Sequence, residues 1–224
     1  MQLHLFSSAD PEGDLGWVLE ACKDCLHDKQ QATVAYLPLG SLFTERWLAP
    51  IEKAFKDLAH IEPINTETME LSAMEAILRR AAVAYIPGGN AFLLNHRLHV
   101  SRLMPSLRKK VRNGLPVVAV GAGAVVCGPN VLTANDLNLV PTPHFDSLDL
   151  TPFNLHVGYT DDAQRDGWLA EYHAFHDNPI LMLEDGAYAK IEGKRTTLSR
   201  GGAWCWRAGG EKQRLTAGEA ISPN

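Results

Sequence analysis

The sequence lacks several features that would assign it to a specialised class of protein. It has no run of 18 or more apolar residues, so we expect no membrane-spanning helix and no membrane partner. Its first six residues pass directly into a predicted strand, which indicates a cytoplasmic protein without a signal peptide. It also has no repeat, low-complexity tract or linker-like stretch. We therefore expect one domain over residues 1–210 and a polar tail over residues 211–224 that frays.

An excess of positive charge is also missing. The chain has 21 Lys and Arg against 26 Asp and Glu, a net charge of −5. The basic cluster formed by Arg108, Lys109, Lys110 and Arg112 falls on a predicted helix, where a solvated face accounts for it. We therefore expect no nucleic acid partner.

Cysteine is scarce, with four residues in 224, which predicts no disulfide framework in a chain of this length. Cys22 and Cys25 have the spacing of a redox or metal motif, but they lie on an apolar stripe with helical periodicity, which predicts buried side chains. His173 and His176 have no set of Cys or carboxylate residues near them to complete a metal site. We expect neither a metal nor a cofactor.

The first 120 residues alternate regularly between predicted strands and helices. The strands are Leu3–Phe6, Thr33–Leu37, Ile61–Asn65, Val83–Ile86 and Pro116–Val120, and the helices are Leu15–Leu26, Glu45–Leu58, Ser72–Arg80, Phe92–Leu98 and Leu103–Asn113. Ser72, followed by Glu75, predicts a capping box at the start of the third helix. The alternation predicts an α/β fold with three layers, α/β/α, around a mostly parallel central sheet.

The second half is predicted to be rich in short strands, packed on one edge of the same sheet. One helix, over residues 162–175, is predicted to bury Trp168, Leu169, Tyr172 and Phe175. The predicted strands are Asn130–Thr133, Leu137–Val140, Phe153–Val157, Ile180–Leu183, Ala187–Ile191, Thr196–Leu198 and Ala203–Arg207.

A buried strand leads into a tight turn of small residues at Val117–Ala124, which reads VVAVGAGA. This pattern is typical of a nucleophile elbow, a strained strand-to-helix turn that carries Ser between small neighbours. The position that would carry the hydroxyl is Gly121. The pattern therefore indicates a hydrolase scaffold without its reacting atom.

A second strand ends in Gly88-Gly89-Asn90, just before a predicted helix. Ligands of open parallel sheets bind beyond the carboxyl ends of the strands. Uncovered N–H groups of Gly88 and Gly89 near a helix N-terminus suit an oxyanion or a carboxylate. The alternative is a plain turn that requires glycine.

Over nearly the whole chain, the sequence resembles the peptidase E (aspartyl dipeptidase) and cyanophycinase family, which are serine peptidases on a class I glutamine amidotransferase-like fold. The resemblance is carried by five segments, residues 86–94 (IPGGNAFLL), 121–124 (GAGA), 133–136 (TAND), 148–150 (LDL) and 183–187 (LEDGA). It implies a Ser, His and acid mechanism, with an Arg-rich helix start that helps to recognise the substrate.

The resemblance places Gly121 on the nucleophilic Ser, Asp136 on the acid and Gly158 on the His. It also implies that Gly88, Gly89, Asn90 and Ala122 bind the ligand or oxyanion. Arg165 stands at the Arg-rich helix start, but Trp168 stands where the family has its second Arg. Two of the three catalytic positions are thus predicted to be glycine.

Substitute groups are the histidines His144 and His156 and the thiol of Cys127. His156 and Gly158 share a face of a regular strand but lie roughly 6–7 Å apart along it. His144 follows Asp136 by eight residues in a predicted loop, and Cys127 is expected to lie in the core.

Three functions remain open. The first is a degenerate, non-catalytic peptidase E-like protein that binds a small peptide or an acidic small molecule. The second is an active dipeptidase or other hydrolase with relocated catalytic groups. The third is a structural or assembly role, which an exposed apolar patch would support. We expect a monomer or a homodimer.

Overall fold

The computed structural model describes residues 1–8, 15–26, 32–42 and 44–223. Twelve strands are found in this part of the chain: β1 (Gln2–Phe6), β2 (Thr33–Tyr36), β3 (His60–Pro63), β4 (Val83–Ile86), β5 (Val117–Val120), β6 (Asn154–Tyr159), β7 (Ile180–Glu184), β8 (Tyr188–Glu192), β9 (Arg195–Arg200), β10 (Ala203–Trp206), β11 (Gln213–Leu215) and β12 (Ala220–Ile221). The seven helices described are α1 (Gly16–Leu26), α2 (Thr44–Phe55), α3 (Leu71–Arg80), α4 (Ala91–Val100), α5 (Leu103–Arg112), α6 (Ala122–Val125) and α7 (Ala163–His173). No helix in these ranges is long and apolar enough to cross a membrane.

The main sheet has eight strands in the order β12-β9-β8-β1-β5-β4-β2-β3. The five strands from β1 to β3 in this order are parallel to one another. On the other side of β1, strand β8 pairs antiparallel with it and continues into β9 and β12, which are also antiparallel. The predicted parallel core of the sheet is therefore present, with an antiparallel extension on one side.

Helices cover both faces of this sheet, as the alternation predicted. One apolar cluster joins sheet residues such as Leu5 and Ile86 to α3, α4, α5 and α6. A second cluster, on the opposite face, joins Phe6 and Tyr85 to α1 and α2. Cys22 and Cys25 are buried in the second cluster, and burial raises the pKa of the Cys25 thiol to about 12. The three-layer α/β/α arrangement is thus confirmed, and the two cysteines are core residues.

The β-rich ending is only partly where we expected it. Strands β8, β9 and β12 extend the main sheet, but β6, β7, β10 and β11 form a separate sheet in the order β11-β10-β7-β6. Helix α7 covers this second sheet through Leu169 and Tyr172. Trp168 and Phe175, predicted to be buried, are 53% and 85% exposed. Trp168 lies outside the buried face of α7, and Phe175 follows the end of the helix at His173.

Several local predictions were wrong. Residues 130–133 and 137–140 form no strand, apart from a single bridge between Asn130 and Asp146. Helix α3 begins at Leu71 with Glu70 as its N-cap, and neither Glu70 nor a capping box at Ser72 supplies a side-chain cap. The segment expected to be a fraying tail contributes β11 and β12, and Ile221 is buried.

Candidate active site

The two glycine turns singled out in the sequence meet at one edge of the main sheet. Strands β4 and β5 are adjacent and parallel, so their carboxyl ends lie side by side. A Cβ atom built on Gly121 would lie 3.6 Å from Gly88 Cα and 3.7 Å from the carbonyl oxygen of Ser7. This edge therefore brings together the ends of β1, β4 and β5, where an open parallel sheet binds its ligands.

Gly121 has the backbone of a sharp strand-to-helix turn, with φ 55° and ψ −117°. Its N–H donates to the Phe6 carbonyl at 2.9 Å, and its carbonyl accepts from Val125 N at 3.0 Å. Any residue with a side chain would be strained in this conformation. The elbow shape is thus present without a side chain to react.

Gly123 allows α6 to pack directly against the end of β4. A Cβ atom at this position would lie 2.1 Å from the carbonyl oxygen of Ile86, a distance that backbone atoms cannot tolerate. The small-residue pattern after Gly121 therefore reflects contact between α6 and β4, whatever chemistry the elbow performs.

The Gly88-Gly89-Asn90 turn is held against the chain near Gly40. Gly89 has φ 136°, and a Cβ atom on it would lie 2.4 Å from the Gly40 carbonyl oxygen. Asn90 N–H donates to that oxygen at 2.8 Å, and the Asn90 side chain caps α4 by accepting from Leu93 N at 2.9 Å. Within the described residues, the N–H groups of Gly88 and Gly89 have no acceptor. These two amides are the donors that this turn offers to a ligand.

Asp136 is hydrogen-bonded to the start of α4. Its Oδ2 accepts from Ala91 N at 2.7 Å, while Asn90 Nδ2 donates to the carbonyl of the next residue, Leu137, at 2.8 Å. Burial raises the pKa of the Asp136 carboxyl, and the Ala91 N–H opposes that shift. The hydrogen-bond partner of this carboxylate is thus a helix N–H group rather than an imidazole.

His156, on β6, is buried and engaged at both ring nitrogens. Its Nδ1 lies 2.8 Å from the Thr133 carbonyl oxygen, which can only accept, so Nδ1 carries the proton. The bare Nε2 faces Arg165 Nη1 at 3.3 Å. Burial lowers the pKa of His156, the Thr133 bond opposes this, and the Arg165 charge lowers the pKa further. A neutral imidazole whose free lone pair faces a guanidinium is poorly placed to act as a general base.

Two separate cavities open at this side of the molecule. One, of about 460 Å³, is largely apolar and is lined by Gly121 and Gly88 together with Tyr36, Tyr85 and Pro87. The other, of about 310 Å³, is lined by Asp136, His156, Arg165 and Trp168 among others. The two share no lining residue within the described chain. Gly121 and Asp136, the predicted nucleophile position and the predicted acid, therefore line different cavities.

Gly158 lies at an irregularity of β6 and does not line the cavity that contains Asp136. The register with β7 shifts between Val157 and Tyr159, so Gly158 is the extra residue of a bulge, with φ 64°. Its N–H donates to Ser7 Oγ at 2.8 Å. The imidazole that shares a cavity with Asp136 is that of His156.

The other substitute groups lie away from both cavities. His144 is in an exposed loop and stacks on His99, with ring centroids 4.7 Å apart. Cys127 is buried as predicted, its Sγ lies 3.4 Å from the Gly123 carbonyl oxygen, and burial raises its pKa to about 12. A thiol with that pKa is almost entirely protonated at neutral pH and is a poor nucleophile.

Comparison with known proteins identifies the family. The family model described as Peptidase family S51 matches residues 3–199. The chain belongs to peptidase family S51. Ala122, predicted to bind the oxyanion, is the first residue of α6 in this S51 fold, and its amide is one that a helix start leaves without an internal partner.

The curated relatives of this S51 chain carry peptidase names. A Drosophila melanogaster protein named as a probable alpha-aspartyl dipeptidase is 28% identical over 79% of this chain and 76% of its own length. Peptidase E of Streptomyces coelicolor is 33% identical over 66% of this chain and 64% of its own length.

Solved structures support the fold. A Listeria monocytogenes EGD-e protein assigned to peptidase E is 22% identical, with a TM-score of 0.69 over 96% of this chain and 98% of that one. A peptidase from an acI-B1 Actinobacterium is 15% identical, with a TM-score of 0.70 over 99% and 96% of the two chains. The S51 chain therefore has the class I glutamine amidotransferase-like fold.

Two residues of the site were not found from the sequence. Ser7 follows β1, and its Oγ joins the Gly158 N–H to the Leu183 carbonyl, to which it donates at 3.1 Å. Its place after a parallel strand beside β5 was the signal that could have identified it. Thr133 was part of the TAND segment, but its carbonyl, rather than its side chain, sets the protonation of His156.

Proposed function

We propose that this member of peptidase family S51 is a non-catalytic relative of peptidase E that binds small peptides at the edge formed by β1, β4 and β5. The observation that carries the proposal is the elbow itself. Its strained backbone is retained at Gly121, but no hydroxyl or thiol is present there.

The size of the effect expected from losing the nucleophile supports the proposal. In a Ser, His and acid triad, removal of the Ser alone lowers turnover by about 10⁶, nearly as much as removal of the whole triad. Binding and oxyanion stabilisation alone retain about 10³–10⁴ over water. This magnitude holds whether Gly158 or His156 stands at the family's histidine position.

The surroundings of His156 and Asp136 support the same proposal. In an active triad the acid orients the imidazole, whose other nitrogen takes the proton of the nucleophile. Here the imidazole is oriented by a main-chain carbonyl, its other nitrogen faces Arg165, and the acid is held by Ala91. Neither His156 nor Asp136 lines the cavity at Gly121, so these contacts do not place a proton acceptor beside the elbow.

The ligand we propose is a short peptide with a terminal carboxylate, an apolar side chain and an acidic side chain. The N–H groups of Gly88 and Gly89, which have no acceptor among the described residues, suit the carboxylate. The neighbouring cavity of about 460 Å³, with Tyr36 and Tyr85, suits the apolar group. Arg165 supplies a positive charge to the second cavity, where an acidic side chain of a ligand would be accepted.

The test is hydrolysis of Asp-Xaa dipeptides and Asp-anilides at high protein concentration over hours. Peptidase E of Streptomyces coelicolor serves as the positive control. The expected result is no turnover above buffer for the natural chain and for the variants His144→Ala, His156→Ala and Cys127→Ala.

Turnover by the natural chain that one of these variants abolishes would overturn the proposal and show that the catalytic groups have moved.

Binding is tested separately by calorimetry with Asp-Leu and Leu-Asp dipeptides. Gly88→Ala serves as a variant whose added Cβ, 3.7 Å from the Val120 carbonyl oxygen, fits without a clash. We expect saturable binding that this added methyl group weakens; absence of binding to any dipeptide would remove the peptide-binding part of the proposal.

A further inference from the structure

We propose that His99, His144 and Asp146 form a binding site for a divalent first-row transition metal ion such as Zn²⁺. One ring nitrogen of each histidine and one carboxylate oxygen of Asp146 lie within 4.8 Å of one another. The sequence predicted no metal site, because His99 lies 45 residues before His144 and the two are brought together only by the fold.

The fold places these ligands by fixing the loop of residues 142–146 against α4. The buried side chain of Asn95 donates through Nδ2 to the carbonyl oxygens of His144, at 3.3 Å, and of Asp146, at 3.1 Å. Between them, Phe145 packs edge-on against Phe92 of the same helix, with ring centroids 6.5 Å apart. The loop therefore presents two side chains to the last turn of α4 with little freedom to drift.

The three donor atoms lie slightly farther apart than the ligands of a bound ion. Zinc lies about 2.0–2.2 Å from nitrogen and carboxylate ligands, so its ligands lie about 3–4 Å apart. His144 and Asp146 are exposed and free to rotate by that amount. His99 is already oriented, since its Nε2 lies 2.8 Å from the Asp146 carbonyl oxygen and 3.8 Å from Asp146 Oδ2.

A hydrogen bond from one ring nitrogen to a carbonyl is the usual way in which a metal-binding histidine is held. Since Nε2 of His99 lies 2.8 Å from the Asp146 carbonyl oxygen, the ion must either bind Nδ1 or displace this bond. The rings of His99 and His144 are stacked and nearly parallel, with an angle of 16° between them, so the exposed His144 ring must tilt out of the stack for both imidazole lone pairs to reach one ion.

The ligand set selects the class of metal. Two imidazoles and one carboxylate suit zinc and its first-row neighbours, whereas calcium and magnesium prefer oxygen ligands alone. Three protein ligands leave a fourth position open to water or to another ligand, and the exposure of His144 and Asp146 keeps that position accessible.

The proposed metal site is distinct from the cavity that contains Asp136, although one loop connects the two. That loop begins at Asp136, which is bonded to Ala91 at the first turn of α4, and reaches Asp146 beside His99 at the last turn. A bound ion would hold the far end of the loop as the Asp136 bond holds the near end.

The experiment is a titration of the untagged, metal-free chain with ZnCl₂. Binding is measured by isothermal titration calorimetry and by the change in melting temperature. We expect one saturable site per chain and a rise in melting temperature with zinc concentration. Calcium and magnesium chloride at the same concentrations should produce neither effect.

Two variants test the ligands and one controls for them. His144→Ala removes an exposed side chain and should abolish saturable binding, while Asp146→Asn should weaken it by at least about tenfold, the lower end of the effect measured for mere outer-shell partners. His96→Ala, which removes an imidazole of α4 outside the cluster, should leave zinc binding unchanged. The proposal is overturned if the natural chain shows no saturable binding, or if binding to His144→Ala is equal to that of the natural chain.

Discussion

Replacement of Gly121 by Ser tests whether the elbow glycine removes backbone strain. A Cβ atom at this position would meet its nearest neighbours, Gly88 Cα and the Ser7 carbonyl oxygen, at 3.6 and 3.7 Å, which is ordinary contact. Steric overlap is therefore absent, and the cost is that of holding a side-chain-bearing residue at φ 55° and ψ −117°. That cost is about 1–3 kcal/mol.

This strain should appear directly in the melting temperature. For a chain of this size, 1 kcal/mol of stability corresponds to about 2–4 °C, so Gly121→Ser should melt roughly 2–12 °C below the natural chain. The measurement is reversible thermal unfolding followed by circular dichroism or calorimetry at neutral pH. Gly121→Ala should show the same decrease, because the strain belongs to the backbone and not to the hydroxyl.

A second glycine supplies a control of opposite sign. Gly167 lies inside α7 without a positive φ, and a Cβ atom there would meet nothing within 4 Å. Gly167→Ala should therefore raise stability by about 0.4–1 kcal/mol.

A higher melting temperature for Gly121→Ser than for the natural chain would refute the strain argument. Dipeptidase activity in that variant would show that His156 can reach the new hydroxyl despite its contact with Arg165.

Three further predictions concern groups around the same sheet. Gly123→Ala should destabilise by about 3 kcal/mol or more, measured by urea unfolding, because its methyl group would overlap the Ile86 carbonyl oxygen. Burial lowers the pKa of His4 from 6.5 to about 4. Between these pH values the unfolded chain therefore binds more protons than the folded chain. About 3 kcal/mol of folding stability, fully present above pH 6.5, should be lost as the pH falls to 4. Unfolding measured against pH should show this slope for the natural chain and for exposed His60→Gln, but a flatter one for His4→Gln. Cys127→Ala should cost about 1 kcal/mol as a core truncation, and any effect on hydrolysis would contradict its assignment to the core.

The parallel half of the sheet was predictable because its signals are local. Strands β4 and β5 are short apolar runs, buried at every position, and each stops at a Pro or Gly residue. The helix starts were less predictable. Asn90 and Asp162 cap α4 and α7 with their side chains, although neither was predicted as a cap. Helix α3 begins one residue before its predicted cap, which places Ser72 inside the first turn.

The second sheet could not be predicted from periodicity. Strands β6 and β7 read as apolar segments like any others, and only pairing over distance decides which sheet they join. The same holds for the buried face of α7, which is defined by its contact with this second sheet.

In the candidate site, too, features set by neighbouring residues were predictable and features set by distant contacts were not. The Gly88-Gly89 turn and the Gly121 elbow were predicted from residues next to one another in sequence, and the structure brings these turns into contact. The state of His156 was not predictable, because a carbonyl 23 residues earlier fixes its proton. Chemistry that depends on main-chain groups from distant segments leaves no signature in residue types.

The position of β1 has a consequence for synthesis of the chain. Strand β1 pairs on one side with β5, whose last residue is Val120, but on the other side with β8, which is complete only at Glu192. At about 5–20 residues per second, a ribosome needs roughly 4–14 seconds to make the residues between these two points. During that interval the half-built sheet presents the bare edge of its N-terminal strand, the kind of surface on which chains aggregate or chaperones bind. The nascent S51 chain thus depends, for several seconds, on a strand that has not yet been translated.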